Sequence, residues 1–371
     1  MTKIFITGAS GYIGGQVLRE LSRSGIKYET RALVRNATKA ATIEAAFPGV
    51  RIVIGDLDDS ELLRKEAAHA SIVLHLAATG HLNSVKAIHQ GLSSRGDSLP
   101  GKEGVLALLV LQRVEADQET IAYWIQVSGA SALAAAEVAS PSFVPGSPSS
   151  LIFNDDDGVA EIRAHIRKHP KRAVDNYILD VASDESAIKT ALVFPPIIYG
   201  KGEGPVNQRS IQIPSLARTT IQLGHGVTVG KGESRWGNIH IGDVGRIFAA
   251  LAENAAKGLP GDETWGRSGI YLAGVGELTF FDISAKVAAA AKQGGHIPTD
   301  KVEELPKDQC DTHLPHGGIM FGTNARGQAK RARRLLNWAP REVSLEEDIP
   351  RTVSTEHGEA AFANQTRVIF C

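Results

Sequence analysis

Eight residues near the amino terminus constrain the fold more than any other part of this chain. Residues 7–14 read TGASGYIG and follow an apolar run at residues 4–6, and residues 16–22 then carry apolar side chains at helical spacing. This pattern predicts a buried strand, a sharp glycine turn and a helix. Glycine is needed where a backbone turns tightly or where another group approaches it closely. We therefore expect the chain to open with a strand–turn–helix unit.

A turn of this kind is typical of a dinucleotide-binding site. The N–H groups at a helix amino terminus have no partner within the helix and attract a pyrophosphate. In that role the first glycine permits the turn, the second lets the phosphate come close, and the third lets the helix pack on the strand. The residues expected to bind the cofactor here are Gly8, Ser10, Gly11, Tyr12, Ile13 and Gly14. The alternative is a purely structural turn.

The end of the second predicted strand favours NADP(H) over NAD(H). An NAD site usually carries an acidic residue there, which accepts hydrogen bonds from the ribose hydroxyls. Here residues 32–34 lead into Arg35, with Lys39 close behind. A guanidinium suits a 2′-phosphate because it can donate paired hydrogen bonds. If Arg35 is only a solvated cation, the cofactor is NAD(H).

Two further strand ends are expected to contact the cofactor. The third strand closes with Asp56 and Leu57, where the carboxylate can accept a hydrogen bond from the adenine amino group. The fourth closes with Ala77 and Ala78, whose small side chains leave space for the cofactor to cross the sheet edge. An ordinary turn aspartate is the alternative reading of Asp56.

Strand and helix signals alternate along the first 200 residues. Strands are predicted at residues 4–6, 30–34, 51–54, 71–76, 123–127 and 188–194. Such alternation predicts an α/β fold with a doubly wound parallel sheet of the Rossmann type. We expect a Rossmann domain at residues 1–200 and a smaller α/β substrate-binding region at residues 201–371, with some of its segments returning to the first domain.

Residues 133–165 are expected to form a long insertion in the first domain. They are rich in Ala, Ser and Pro and then carry three consecutive acids at residues 155–157. Loops longer than about 15 residues inside compact domains are usually functional or mobile. The insertion is therefore predicted either to cover the site or to be an inert surface excursion.

The composition favours a small-molecule partner. The 40 basic and 41 acidic side chains nearly cancel, which argues against nucleic acid and membrane surfaces as partners. The two cysteines, Cys310 and Cys371, form no disulfide framework, and the histidine spacing imposes no metal site. An apolar strand begins almost at the first residue, so we expect a cytoplasmic protein that binds a small-molecule substrate. A homodimer is left open.

Motifs along most of the chain resemble the extended short-chain dehydrogenase/reductases, which include the NAD-dependent epimerase/dehydratase group. They are TGASGYIG, GDLDD, LHLAA, SGAS, FPPIIYGKGEGP, WGNIHIGDVGRIF and RRLLNWAPREVSLEEDI, in the family's order. The resemblance implies a Rossmann fold over most of the chain. In the FPPIIYG segment it implies cofactor contacts at Pro195, Ile197 and Ile198.

The resemblance also implies a catalytic serine, tyrosine and lysine. In that set the lysine lowers the pKa of the tyrosine and holds the nicotinamide ribose, while the tyrosine transfers the proton. Ser128 matches the serine. Lys171 is the best match to the lysine, because it opens the helix before the FPPIIYG strand and stands four residues before Asp175.

The tyrosine of that set has no match in this chain. None of the six tyrosines has a lysine four positions later, and the position four before Lys171 is Arg167. A guanidinium stays charged near neutrality and is a poor general acid. His165 or His169 could replace the tyrosine, since a histidine titrates near about pH 6.5. Tyr177, on the same predicted helix as Lys171, is the other candidate.

Three functional hypotheses follow from these residues. The first is an NADP(H)-dependent oxidoreductase that acts on a carbonyl or alcohol of a small organic molecule with a non-standard proton donor. The second is a redox-neutral isomerase, epimerase or lyase on the same fold. The third is a regulator that senses NAD(P) and does not turn it over.

Overall fold

Fourteen strands lie in the described part of the chain. The computed structural model describes residues 1–95, 121–182, 188–258, 261, 263–306 and 308–369, with side chains up to residue 359. The strands are β1 (Thr2–Thr7), β2 (Tyr28–Val34), β3 (Val50–Ile54), β4 (Ile72–His75), β5 (Ala122–Val127), β6 (Phe153–Asn154), β7 (Ile188–Phe194), β8 (Ile197–Tyr199), β9 (Gly226–Val229), β10 (Arg235–His240), β11 (Ile270–Leu272), β12 (Gly276–Thr279), β13 (Val302–Leu305) and β14 (Gly327–Gln328). All six strands predicted from the sequence are present, so those predictions are confirmed.

Helices connect these strands, as the alternating pattern predicts. They are α1 (Tyr12–Arg23), α2 (Ala37–Ala46), α3 (Ser60–His69), α4 (Leu82–Ser93), α5 (Ala135–Ala139), α6 (Val159–Arg167), α7 (Ala173–Val181), α8 (Gln212–Leu223), α9 (Ile241–Ala256), α10 (Phe280–Gln293), α11 (Cys310–His313), α12 (Gly317–Met320), α13 (Arg331–Leu335) and α14 (Leu345–Ile369). Over the ranges that the structure describes, no helix combines the length and the apolar character needed to cross a bilayer.

Seven parallel strands form the main sheet. Their lateral order is β11-β7-β5-β4-β1-β2-β3, and every neighbouring pair is parallel. Strand order reverses between β1 and β4, which makes that crevice the topological switch point. The glycine turn after β1 and the residues after β4 meet there. The predicted fold class, a doubly wound Rossmann sheet, is confirmed.

Both faces of the sheet are covered, because successive side chains of each strand point to opposite faces. Phe5 belongs to a core with residues of α3, α4, α7 and α10. Ile4 and Ile6 belong to a second core with residues of α1, α2 and α9. The two cores hold the carboxyl ends of the strands at one edge, where the loops that follow them converge.

The carboxyl-terminal part of the chain adds small sheets beside the main one. β10 pairs with β8 in parallel and with β12 in antiparallel orientation, while β9 pairs with β13. β11 returns to the edge of the main sheet beside β7. Segments after residue 200 thus contribute to the main sheet, as expected, and the division into two domains stays a prediction.

The segment of residues 133–165 contains regular structure. It includes α5 and β6, and α6 begins at Val159, so a helix starts within the range expected as an insertion. Ile162 and Ile166 are fully buried on one face of α6, and this short helix is stabilised by packing that the local pattern alone did not reveal. β6 pairs with β14, far along the chain.

A buried carboxylate ties this segment to the carboxyl-terminal part of the chain. Asp155 is fully buried, and its carboxylate accepts hydrogen bonds from the backbone N–H groups of Lys330 (2.7 Å), Arg331 (3.1 Å) and Leu272 (2.9 Å). Burial raises the pKa of Asp155 to about 6, although the three N–H donors and the Arg331 charge favour the ionised form. One side chain therefore connects β6, β11 and the start of α13.

Replacing this carboxylate tests its structural role. Asp155→Ala leaves three buried N–H groups without an acceptor, so we expect the free energy of unfolding to fall by about 2–4 kcal/mol. Asp157→Ala removes an exposed acid of the same run and should change stability by less than about 0.5 kcal/mol. Urea denaturation followed by circular dichroism measures both variants, and equal stabilities would contradict the assignment.

Candidate functional site

The glycine turn joins β1 to α1 with very little space around it. Gly8 has φ of 78°, in the left-handed region, and a Cβ there would lie 2.7 Å from the carbonyl carbon and oxygen of Leu76. A Cβ on Gly14 would lie 2.1 Å from the carbonyl oxygen of Gly8. Neither position can carry a side chain without a backbone shift. The first and third glycines of the motif thus bring the helix onto the strand end.

The amino terminus of α1 has no side-chain cap. Gly11 occupies the capping position, no side-chain oxygen accepts a hydrogen bond from the first turn, and that turn carries no acidic residue. The N–H of Gly11 donates to Gly8 O at 2.8 Å. Unpaired N–H groups at such a terminus attract anions. A helix start without a cap or a nearby acid is suited to hold a phosphate group.

A buried histidine lies under this turn. The Nδ1 atom of His75 is 2.6 Å from the hydroxyl of Thr7, and Nε2 is 3.2 Å from the hydroxyl of Ser84. The Ser84 hydroxyl donates its proton to the carbonyl of His81 (2.8 Å). It must therefore accept from Nε2–H of His75, which leaves Nδ1 to accept from Thr7. Burial lowers the pKa of His75 to about 3, with a smaller contribution from the charge of His81, so the ring is neutral.

The other strand ends present the predicted cofactor residues at the same edge. Arg35 follows β2 directly and is exposed, and it forms no ion pair with the residues that the structure describes. Asp56 is exposed and accepts a hydrogen bond from the N–H of Asp58 (2.9 Å). Leu57 and Ala77 are half-buried. Ala78 is exposed and has φ of 35°, a strained conformation of the kind found at binding sites.

Ser128, at the end of β5, belongs to a three-residue polar cluster. Its hydroxyl donates to Oδ1 of Asp175 at 2.7 Å, and Nη2 of Arg172 donates to its oxygen at 3.0 Å. Nε of Arg172 donates to Oδ2 of Asp175 at 2.6 Å, and Nη1 is 3.4 Å from the hydroxyl of Ser131. Each member of the cluster therefore contacts the other two.

The positive charge of Arg172 offsets the negative charge of the buried Asp175 in this cluster. The side chain of Asp175 is 1% exposed and that of Arg172 is 22% exposed. Burial raises the pKa of Asp175, while the charge of Arg172 and the hydrogen bonds from Ser128 and Arg172 oppose that rise. A guanidinium has five N–H groups, so Arg172 keeps N–H donors for a ligand after these bonds are made. Backbone bonds from Ser128 to Val193 and from Ala130 to Pro195 join the cluster to the end of β7.

The other three predicted catalytic residues make none of the side-chain hydrogen bonds of this cluster. Lys171 is exposed, and Arg172, the next residue, makes the contacts to Ser128. The hydroxyl of Tyr177 lies 2.8 Å from Nδ1 of His89 on α4. Both ring nitrogens of His169 are buried and have no hydrogen-bond partner within the described ranges, and the ring lies 4.8 Å from that of His165. The catalytic role of each stays a prediction.

The FPPIIYG segment closes the site on the other side of the glycine turn. The hydroxyl of Tyr12 donates to the carbonyl of Gly200 (2.6 Å) and lies 3.0 Å from that of Tyr199, which fixes the segment against the first turn of α1. The predicted cofactor residues Pro195 and Ile197 are buried, while Ile198 is half-buried and lines a cavity with Gly11 and Tyr12.

Sequence reasoning missed Arg172 and the far wall of this cavity. This far wall lies distant in sequence from the glycine turn and carries no motif, and it consists of Asn207, residues 209–212 and Met320. Arg172 could have been found from its position three residues before Asp175, since residues three apart share a helix face. Lys171, four residues from Asp175, meets the same criterion, so spacing alone does not choose between them.

Comparison with known proteins agrees with this architecture. Residues 1–92 match the NmrA-like family. The oxidase ucsJ of Acremonium sp. is 33% identical over 361 residues, covering 95% of this chain and 97% of the relative. The structure of PbgP3 protein from Burkholderia pseudomallei has a TM-score of 0.60 at 14% identity, covering 98% of each chain. That of dTDP-glucose 4,6-dehydratase from Bacillus anthracis, in complex with NAD, has a TM-score of 0.58 at 14% identity, covering 95% and 96%.

The sheet, the switch point and the uncapped helix after the glycine turn define a Rossmann-type dinucleotide-binding protein. The full-length similarity to the Acremonium oxidase shows that the two proteins belong to one family. The chain belongs to the extended, atypical short-chain dehydrogenase/reductases, and its amino-terminal quarter is NmrA-like.

The neutral histidine under the glycine turn predicts a pH effect on stability. The unfolded chain protonates His75 below about pH 6.5, whereas the folded chain does not until about pH 3, so this group destabilises the fold by about 1.4 kcal/mol per pH unit as pH falls through that window. In His75→Gln the loss of unfolding free energy between about pH 7 and about pH 5 should therefore be about 2 kcal/mol smaller than in the wild type.

Urea titrations at the two pH values measure this difference. His69→Gln, which replaces an exposed histidine on α3, is the matched control and should keep the wild-type pH dependence. Identical pH profiles for His75→Gln and the wild type would contradict the buried neutral assignment.

Proposed function

We propose that this protein is an NADP(H)-dependent oxidoreductase that acts on a carbonyl or alcohol group of a small organic molecule. The observation that carries the proposal is the uncapped amino terminus of α1, framed by Gly8 and Gly14 at the topological switch point. The relative named as an oxidase supports redox chemistry, and the neighbour in complex with NAD supports a nicotinamide cofactor.

The residues at the sheet edge fit the parts of this cofactor. The first-turn N–H groups of α1 would hold the pyrophosphate, with Ser10, Tyr12 and Ile13 around it. The exposed Arg35 would pair with the 2′-phosphate. Asp56 and Leu57 would face the adenine, Ala77 and Ala78 would let the cofactor cross the edge, and Pro195, Ile197 and Ile198 would flank the nicotinamide. Bound NADP(H) supplies or accepts the hydride.

Within this proposal Arg172 positions the oxygen of the reacting carbonyl. Asp175, Ser131 and Ser128 each contact one nitrogen of the guanidinium, so the N–H donors that remain have a fixed orientation. The Ser128 proton is directed to Asp175, which leaves the serine as an anchor for Arg172. Fixed donors stabilise the negative charge that develops on the oxygen when a carbonyl is reduced.

His169 is the side chain we propose for proton transfer. Its buried ring nitrogens have no partner in the part of the chain that the structure describes, and an unsatisfied buried polar group points to a functional role. The carbonyl of His169 accepts the N–H of Arg172 at 2.9 Å, which links the two by backbone. The hydroxyl of Tyr177 already contacts His89, so we rank it second, and the exposed Lys171, which is outside the cluster, third.

The choice of cofactor is tested at Arg35. Arg35→Ala removes the paired hydrogen bonds to a 2′-phosphate, so the affinity for NADPH should fall about ten- to hundredfold while the affinity for NADH stays unchanged. Arg51→Ala, which removes an exposed arginine from neighbouring β3, is the control. Calorimetric titration with each cofactor measures the affinities, and a parallel loss for NADPH and NADH would contradict the assignment.

The roles of the two adjacent cations are tested by paired variants. Arg172→Lys keeps a charge beside Asp175 but loses the guanidinium geometry, and the loss of a fixed donor should lower kcat about 10²- to 10³-fold. Lys171→Ala should retain kcat within about twofold, because this side chain is exposed and outside the cluster.

The assay follows oxidation of NADPH with a panel of neutral ketones and aldehydes. Thermal denaturation and NADPH affinity verify that both variants fold. Loss of turnover in Lys171→Ala with full activity in Arg172→Lys would assign the role to Lys171. Product formed without net oxidation of NADPH would replace the proposed reaction with a redox-neutral one.

A further inference from the structure

A cavity of about 360 Å³ opens from the glycine turn toward the carboxyl-terminal part of the chain. The cofactor's pyrophosphate is proposed to bind at the end formed by Gly11, Tyr12 and Ile13. The rest of the cavity is open to one small organic molecule. Most of its wall is apolar, from side chains of Ile13, Leu76, Pro196, Ile198, Ile211 and Met320. Ile211 is 56% exposed, which is unusual for a large aliphatic side chain and places it at the mouth of the cavity.

The polar side chains in the wall are mostly bonded to the protein. The hydroxyl of Tyr12 donates to the carbonyl of Gly200. The amide nitrogen of Gln212 donates to the carbonyl of Met320 at 2.8 Å. Asn207 accepts the N–H of Arg209 through Oδ1, so its exposed amide N–H2 group remains available to a ligand oxygen.

The cation in this wall is neutralised by a buried acid. Arg209 makes a two-fold contact with Glu356 of α14, at 2.7 and 3.0 Å. The side chain of Glu356 is 2% exposed and also bonds Arg218 at 2.7 Å, which in turn contacts Glu359 at 3.0 Å. Two guanidinium groups thus face two carboxylates. The charges of the two pairs cancel, so a phosphate or carboxylate of a ligand would meet no net positive charge at this part of the wall.

We infer that this cavity selects an uncharged, largely apolar substrate that presents one carbonyl or hydroxyl group to a few polar atoms. This expectation differs from the structural neighbour dTDP-glucose 4,6-dehydratase, whose name specifies a substrate with a diphosphate. With the cofactor bound at the start of α1, a diphosphate or carboxylate of the substrate would lose its water and meet only arginines that Glu356 and Glu359 already neutralise, which is unfavourable. This inference rests on the proposed function for the reaction that the substrate undergoes. The preference for a neutral over an anionic ligand concerns binding alone and can be tested without turnover.

A matched pair of probes tests the selectivity. The probes are 2-acetonaphthone, which is neutral, and 6-acetyl-2-naphthoate, which adds a carboxylate to the same ring system. Ligand-detected NMR titrations against the full-length chain saturated with NADPH give both dissociation constants. The neutral probe should bind at least about tenfold more tightly, because the carboxylate would lose its water and meet only arginines that acids of the wall already neutralise.

A charge placed at the mouth should reverse this preference. In Ile211→Arg the anionic probe should gain at least about fivefold in affinity and the neutral probe should lose affinity. Phe281→Arg changes another exposed apolar residue, 47% exposed and outside this wall, and should keep the wild-type ratio.

The outcomes separate this inference from the proposed function. Selective binding of the neutral ketone without its reduction supports the inference and counts against the proposed reaction. Equal or tighter binding of the anion by the wild type overturns the inference even if both probes are reduced. Failure of both probes to bind also overturns it, as does an unchanged ratio in Ile211→Arg.

Discussion

The close packing of α1 against the end of β1 is the constraint on which the site depends. The carbonyl oxygen of Gly8 occupies the space that a Cβ on Gly14 would need, so the helix axis begins directly over the strand end. This contact puts the uncapped first turn at the crevice between β1 and β4, where strand order reverses. The position of each other strand in the sheet sets how far its carboxyl end, and the residues that follow it, lie from that crevice.

Buried polar side chains at the same edge are satisfied in two different ways. Thr7, His75 and Ser84 form a neutral chain of hydrogen bonds. The neutral His75 ring accepts at Nδ1 and donates at Nε2, so no charge is needed to satisfy it. Ser128, Arg172 and Asp175 form a charged cluster, in which an ion pair offsets the cost of burial. The first arrangement supports the turn from below, and the second holds a cation with donors to spare. The neutral hydrogen-bonded chain therefore supports the turn that is proposed to hold phosphate. The charged cluster lies where the reacting oxygen is proposed to bind.

The carboxyl-terminal helix decides the character of the remaining wall. Glu356 of α14 reaches Arg209 and Arg218 and removes the free positive charge that an anionic ligand would require. The hydroxyl of Tyr12 joins α1 to the segment after β8. Tyr12, near the amino terminus, and Glu356, near the carboxyl terminus, thus hold the two sides of the cavity wall. A substrate pocket in this fold is therefore assembled from residues that share no local pattern.

The sequence by itself determined the strand–turn–helix unit and the six strands of the parallel sheet, because both depend on local periodicity or on glycines that no other residue can replace. The family followed from the resemblance of motifs along most of the chain. The sequence also placed Arg35 and Ser128 at strand ends, since the carboxyl ends of parallel strands share one edge. Only the tertiary structure distinguished Arg172 from Lys171, because both stand at helical spacing from Asp175 and only the packing of α7 against β7, the strand beside β5, brings one of them to Ser128. Only the tertiary structure likewise brought Glu356 to Arg209 and Asp155 to the start of α13. These contacts join residues more than 100 positions apart, and no local signal in a single sequence encodes such a pairing.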